Sequence, residues 1–332
     1  MPQKPMPIRP LLPGDFDAVV AIDKAASGRA RRGFYEKRLA RLRREPQAFI
    51  ALAAEKEDAI AGFLFARLYE GEFGGASAEA ALDAIGVAAD EQRQGIGRSL
   101  VAALTDAMKS RGVSELSTEI DWNEAALGGF FARIGFSPAP RLILERAVSS
   151  LEAPPRPRAT PGEPASSAEL DYSAPSGDDF EALSHDRIPV RSLAADDLAA
   201  ILKIDRCHTG RDRALYFRAK LAEAIEESGV RVSLAAETLG QVAGFMMARV
   251  EFGEFGRFEP EALIDTIGVD PALGHKGVGS ALFSQLMTNL RGLRVERVRT
   301  EVAWNDFGLL SFLGRLGFQP GSRLALRRVV SW

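Results

Sequence analysis

The chain has 332 residues, 46% hydrophobic and 26% charged; that is longer than one hydrophobic core usually grows, about 250 residues, and apolar enough to fill two. Lysine and arginine total 42 against 45 acidic residues, a net charge of −3, so no overall basic field draws the chain to nucleic acid or anionic lipid. The single cysteine, Cys207, with only His185, His208 and His275, excludes an intramolecular disulfide framework and argues against a metal site, and with no apolar leader or roughly 18-residue apolar run the expected location is cytoplasmic, with no membrane partner.

In chain order, Asp15 is placed to cap a helix in which Phe16, Val19 and Val20 recur at helical spacing. Residues 49–54 and 60–68 read as two strands around polar 55–58, a hairpin, and 82–87 as a short apolar strand. After the loop Gln92-Arg93-Gln94-Gly95-Ile96-Gly97, a helix from Arg98 sets Leu100, Val101, Leu104, Ala107 and Met108 on one core-facing stripe and ends at Gly112. A strand (116–121), a helix (124–133) and a last strand (141–146) complete a mixed, mostly antiparallel sheet flanked by helices, an α/β fold.

The same order then repeats. Ile85-Gly86-Val87 recurs as Ile267-Gly268-Val269, an offset of 182 residues, and that offset pairs Arg9 with Arg191, Asp15 with Asp197, Trp122-Asn123 with Trp304-Asn305 and Gly135-Phe136 with Gly317-Phe318. Copies of about 140 residues are tandem globular domains and not a solenoid of short repeats. The expected boundaries are 1–148 and 190–332, joined by a linker at 149–189 crowded with Pro154, Pro155, Pro157, Pro161 and Pro164. Composition leaves that linker as either a flexible tether or a strap anchored through Tyr172 and Phe180.

The loop at 92–97 carries the chemistry. Its glycines let backbone amides turn toward a ligand, and the following helix points its positive N-terminus at the same spot, which together suit a pyrophosphate. The second copy has Gly274-His275-Lys276-Gly277-Val278-Gly279. A dinucleotide fingerprint fails, because Leu100 and Leu282 stand where its third glycine belongs. The segment instead resembles motif A of the GNAT superfamily of N-acetyltransferases, Gln/Arg-x-x-Gly-x-Gly/Ala, and the later Asn…Gly-Phe segments resemble that family too. The resemblance covers most of both copies, although Gly274 departs from the motif's first position.

That resemblance implies acetyl-CoA as acyl donor. It implies pyrophosphate binding by Gln92, Arg93, Gln94, Gly95, Ile96, Gly97 and Arg98, and by His275, Lys276, Gly277, Val278, Gly279 and Ser280 in the second copy. Gly86 and Val87, with Gly268 and Val269, would pair with pantetheine amides, and Asn123 and Asn305 would lie near pantetheine or thiol. The acid four positions before each valine, Asp83 or Asp265, is either a base acting through water or a carboxylate that orients a loop. Where the family often has a tyrosine acid, the chain has Phe131 and Leu313.

On the acceptor side the residues point both ways. Arg29, Arg31, Arg32, Arg211 and Arg213 would bind an acidic group or line a solvated helix face, and Glu72 and Glu254 would hold a cationic amine or merely sit in turns. The expected function is therefore acetyl transfer to an amine, a small molecule or a protein lysine, by direct attack. The alternatives are a non-catalytic acyl-CoA-binding module, or one active and one structural domain.

Overall fold

The structure, a computed structural model, describes residues 6–28, 30–70, 78–148, 188–227, 232–251 and 261–330. Arg29, Glu72, Glu254, Tyr172 and Phe180, and all of the proposed linker but Ile188 and Pro189, lie outside the described residues. In chain order the elements are β1 (Ile8–Pro10), α1 (Phe16–Ser27), α2 (Arg32–Arg44), β2 (Phe49–Lys56), β3 (Ala59–Glu70), β4 (Ala78–Val87), α3 (Ile96–Lys109), β5 (Glu115–Asp121), α4 (Ala125–Arg133), β6 (Ser137–Pro138) and β7 (Arg141–Ala147). They continue with β8 (Val190–Ser192), α5 (Leu198–Thr209), α6 (Ala214–Ala222), β9 (Leu234–Thr238), β10 (Gln241–Glu251), β11 (Glu261–Val269), α7 (Val278–Gly292), β12 (Arg297–Ala303), α8 (Phe307–Arg315), β13 (Gln319–Pro320) and β14 (Arg323–Val329).

These build two compact units, one from residues up to Ile143 together with the chain end from Gly321, the other from Leu144–Val250 and Glu261–Pro320. Each holds a mixed, mostly antiparallel sheet of seven strands among the described residues, in the orders β1-β2-β3-β4-β5-β14-β6 and β13-β7-β12-β11-β10-β9-β8. The hairpins follow local chemistry. Glu57 and Asp58 in one, Leu239 and Gly240 in the other, all take positive φ, the two-residue turn whose twist matches that of the flanking strands.

In the first unit, strand alternation splits the apolar residues between two helical layers. Ala51, Ala53, Phe63 and Phe65 pack with Val19, Tyr35 and Leu39 from α1 and α2, while Ile50, Ala54, Leu64 and Ala66 pack with Leu100, Val101, Leu104 and Met108 of α3. The second unit repeats the first of these layers, with Ala235, Phe245 and Met247 against Ile201, Ile204 and Phe217.

Two expectations are corrected. Asp15 does not cap α1 with its side chain; its carboxylate accepts from the Leu12 amide at 2.7 Å and from Arg9, holding the turn before the helix. More consequentially, residues 141–146 do not complete the first copy's sheet. β14 pairs with β5 along its whole length, Arg323 opposite Asp121 through Val329 opposite Glu115, while β7 lies between β12 and β13. The final strands of the two copies are exchanged.

One charged position distinguishes two otherwise similar strands. β5 carries Glu115, Glu119 and Asp121, and β14 brings Arg323, Arg327 and Arg328. Arg327 sits opposite Ser117 with Glu115 and Glu119 two residues to either side, and Arg323 Nε meets Glu119 Oε2 at 3.2 Å. The counterpart of Arg327 in β7 is Glu145, which at that place would lie between two glutamates; in the second unit it meets Arg297 at 3.4 Å instead. Opposite charges across strands stabilise each pair by roughly 0.2–1 kcal/mol and like charges cost as much.

Candidate active site

The site begins where β4 leaves its parallel neighbour. β4 and β5 pair only from Glu79 opposite Glu115 to Ala81 opposite Ser117. There the Thr118 hydroxyl donates to Leu82 O at 3.0 Å, and β4 bulges at Asp83, the extra residue between Ala84 opposite Phe65 and Leu82 opposite Ala66. Beyond the bulge, β4 runs on to Val87 paired, among the described residues, with β3 alone. In the second unit, β11 and β12 pair from Glu261 opposite Arg297 to Ile264 opposite Thr300, and the Thr300 hydroxyl closes that apex on Ile264 O at 2.9 Å.

Backbone parity decides which groups face the resulting wedge. The Ala88 amide donates to Ala61 O at 2.9 Å. Ladder bonds alternate along an antiparallel pair, so Val87, one residue back, turns both its N–H and its C=O to the opposite edge, into the wedge. Gly86 turns its polar groups into the β3 ladder, and it is glycine because a Cβ there would stand 2.6 Å from the Phe63 ring. Asp270 N–H on Ala243 O, 2.9 Å, sets the same parity for Val269.

The wedge opens toward the N-terminus of α3. Gly95, at φ +86°, precedes the helix without a side-chain cap, and the Ser99 N–H donates back to Gly95 O at 3.0 Å. The amides of Ile96, Gly97 and Arg98 therefore have no carbonyl in their own helix to meet. Arg93, though not glycine, is also left-handed at φ +64°, and His275 matches it at φ +61° with Gly277 at φ +88°. Gln94, Arg93 and Arg98 are exposed beside these amides, as are His275 and Lys276 in the second unit. Gly97 admits the Phe130 ring, as Gly279 admits that of Phe312. This is a cradle of free amides and cations beside an unpaired strand edge, suited to a phosphate joined to an amide-bearing chain.

The other predicted residues fall around it. Asn123 follows β5 and donates its backbone N–H to Asp121 Oδ1 at 3.0 Å; that bond, with the Ser322 hydroxyl, holds Asp121 below the usual carboxylate range. Asn305 is exposed just beyond β12. Asp83, with 1% of its side chain exposed, meets Arg38 of α2 at 2.8 Å. Asp265, at 4%, is held by Arg249 and by Lys220, the latter at 3.3 Å. Arg31 and Arg213 are not on a solvated face: each is buried against an aspartate of the preceding helix, Asp23 and Asp205. Arg32 is exposed beside Asp17 and Glu36. Phe131 and Leu313 lie in the core. Sequence reading missed Phe130 and the left-handed Arg93; the glycines at the second position of α3 and α7, Gly97 and Gly279, were the signal for the first, and nothing in residue type marks the second.

A family model described as the Acetyltransferase (GNAT) family matches residues 17–136 and again 198–318. The chain belongs to the GNAT family. Its members use acetyl-CoA for acyl transfer, and the cradle and wedge fit such a donor. No curated protein matches the chain. Among solved structures it is similar over its whole length to a tandem GNAT protein from the clavulanic acid biosynthesis pathway, 17% identical, covering 98% of this chain and 99% of that one at a TM-score of 0.61. A GCN5-related N-acetyltransferase from Sphaerobacter thermophilus is 16% identical over 98% and 96% at 0.57, and one from Kribbella flavida is 13% identical over 98% and 72% at 0.58. These likenesses show the tandem fold. Among the described residues no helix is long and apolar enough to cross a membrane, and no group of three or more His, Cys, Asp or Glu is placed to hold a metal.

Proposed function

We propose that this GNAT protein is an acetyl-CoA-dependent N-acetyltransferase that passes an acetyl group to an amine, on a small molecule or a protein lysine, by direct attack. The observation that carries the reading is Val87, whose amide and carbonyl face an unpaired strand edge beside the uncapped N-terminus of α3. Val87 pairs with the pantetheine amides, the amides of Ile96, Gly97 and Arg98 take the pyrophosphate, and Arg93 and Arg98 neutralise it. The second unit offers Val269, Val278, Gly279 and Ser280 with His275 and Lys276.

In the reaction the amine nitrogen bonds to the thioester carbonyl carbon as the C–S bond breaks. The amine gives up a proton and the departing thiolate takes one. Burial and ion pairing favour Asp83, at the β-bulge, and Asp265 as structural residues over residues that collect this proton through water. One observation favours a second reading, a non-catalytic acyl-CoA-binding module: the core positions of Phe131 and Leu313 leave no hydroxyl there to protonate the thiolate.

Calorimetric titration of the purified chain with acetyl-CoA, followed by thiol release in the presence of an amine panel, tests both. Saturable binding with turnover supports the transferase. Binding without turnover on any amine supports the module, and absence of binding removes both.

A further inference from the structure

We infer that His208 sets the second unit's affinity for a pantetheine ligand below that of the first, by occupying a backbone acceptor the ligand needs. The inference rests on the acyl-CoA reading of the wedge.

The carbonyls of Val87 and Val269 are equivalent by sequence offset and by strand parity, and each faces its own wedge. Their surroundings differ. In the first unit the carbonyl is approached by the Gln92 side-chain amide, at 3.4 Å, near the outer limit for an N–H···O bond and readily exchanged for another donor. The second unit has Gly274 in place of Gln92. The backbone there is unchanged, φ −53° and ψ 144° against φ −65° and ψ 158°, so only the side chain has gone.

The Val269 carbonyl is nevertheless held. The His208 imidazole, from the last turn of α5, meets it at 2.6 Å through Nε2. At that separation the ring carries its proton on Nε2 and donates. The counterpart of His208 in the first unit is Ala26, which has no group to donate. A loose contact from the loop has thus been replaced by a short one from a neighbouring helix. A pantetheine amide entering the second wedge must displace an imidazole, where in the first it displaces a weak amide contact or none.

Since α5 exposes His208 to solvent, replacing it does not open the core. The test is calorimetric titration of the full-length wild type, His208→Ala and Ala26→His with coenzyme A. The wild type is expected to show two classes of site. His208→Ala should tighten the weaker class by roughly tenfold, the worth of one ordinary hydrogen bond, and leave the stronger unchanged. Ala26→His should weaken the stronger class. The inference is overturned if wild-type sites are equal and His208→Ala leaves them so, or if that variant weakens the second class, which would make the imidazole a ligand contact. No binding by any of the three proteins would instead remove the acyl-CoA reading, and this inference with it.

Discussion

Gly97 lies edge-on to the Phe130 ring, so that a Cβ at position 97 would stand 3.2 Å from its tip; Gly279 and Phe312 repeat the relation at 2.9 Å. The glycine is thus fixed from the core side, by the aromatic ring of α4, as well as by its free amide. Gly97→Val is expected to push α4 outward, costing about 1–3 kcal/mol of stability, and to weaken acetyl-CoA binding to the first unit at least tenfold. Urea unfolding and calorimetry check the two effects. Gly95→Ala separates them: no atom lies within 4 Å of a Cβ there, so only the left-handed backbone is penalised, by roughly 1–2 kcal/mol.

The buried pair of Asp83 and Arg38 predicts an asymmetry among variants. Removing one partner strands a charge in the core, so Asp83→Ala is expected to destabilise by about 3–5 kcal/mol, while Asp83→Leu with Arg38→Met should recover most of that loss. Denaturant midpoints measure the difference. Turnover then reads the carboxylate's role: a stable double variant that still releases thiol would show Asp83 to be no base, and a stable but inactive one would restore it as the proton acceptor.

Acid sensitivity should come from the first residues of each copy. Hydrogen bonds from Arg9 are the main reason Asp15 titrates below the ordinary aspartate value; burial opposes Asp197 more strongly, yet bonds from Arg191 and the Ala194 amide still bring it down. A lowered folded value means the stabilisation is complete above the unfolded value, about 3.9, and is lost as pH falls through the lower folded one. Asp15→Asn and Asp197→Asn should therefore lower stability at neutral pH and flatten the loss of stability below about pH 4, as thermal unfolding across a pH series would show.

Much of this was legible because it is local. Alternation marked both hairpins, the stripe from Leu100 to Met108 marked α3, and the constant offset marked the tandem units. The loop at 92–97 was legible because glycine spacing reports backbone conformation directly. Asp83 was visible as an acid before a strand end, but its bulge and its ion pair with Arg38 depend on a helix some forty residues earlier. The exchange of β7 and β14 was not visible by pattern: Arg-Leu-Ile-Leu-Glu-Arg-Ala and Arg-Leu-Ala-Leu-Arg-Arg-Val present the same alternation to either sheet. Only the charges on the receiving strands distinguish them, and those become neighbours only once a register is known.

That charge argument gives the last prediction. Exchanging Glu145 and Arg327, as Glu145→Arg with Arg327→Glu, keeps composition and net charge but sets a glutamate between Glu115 and Glu119 and an arginine near Arg297. If charge holds the strands in their present sheets, the double variant should lose about 1–2 kcal/mol, the sum of a few cross-strand terms. Hydrogen exchange localises the loss: amides of β5 and β12, which bond to the exchanged strands, should lose protection before those of β2 and β3. Ending the chain at Pro320 is the stronger form of the same test. It removes β14, leaves the outer edge of β5 unpaired, and should melt the β5 edge of the first unit while the second unit, whose final strand comes from the middle of the chain, keeps its protection. Equal loss in both sheets, or none in β5, would show that residues 323–329 are not what closes the first sheet.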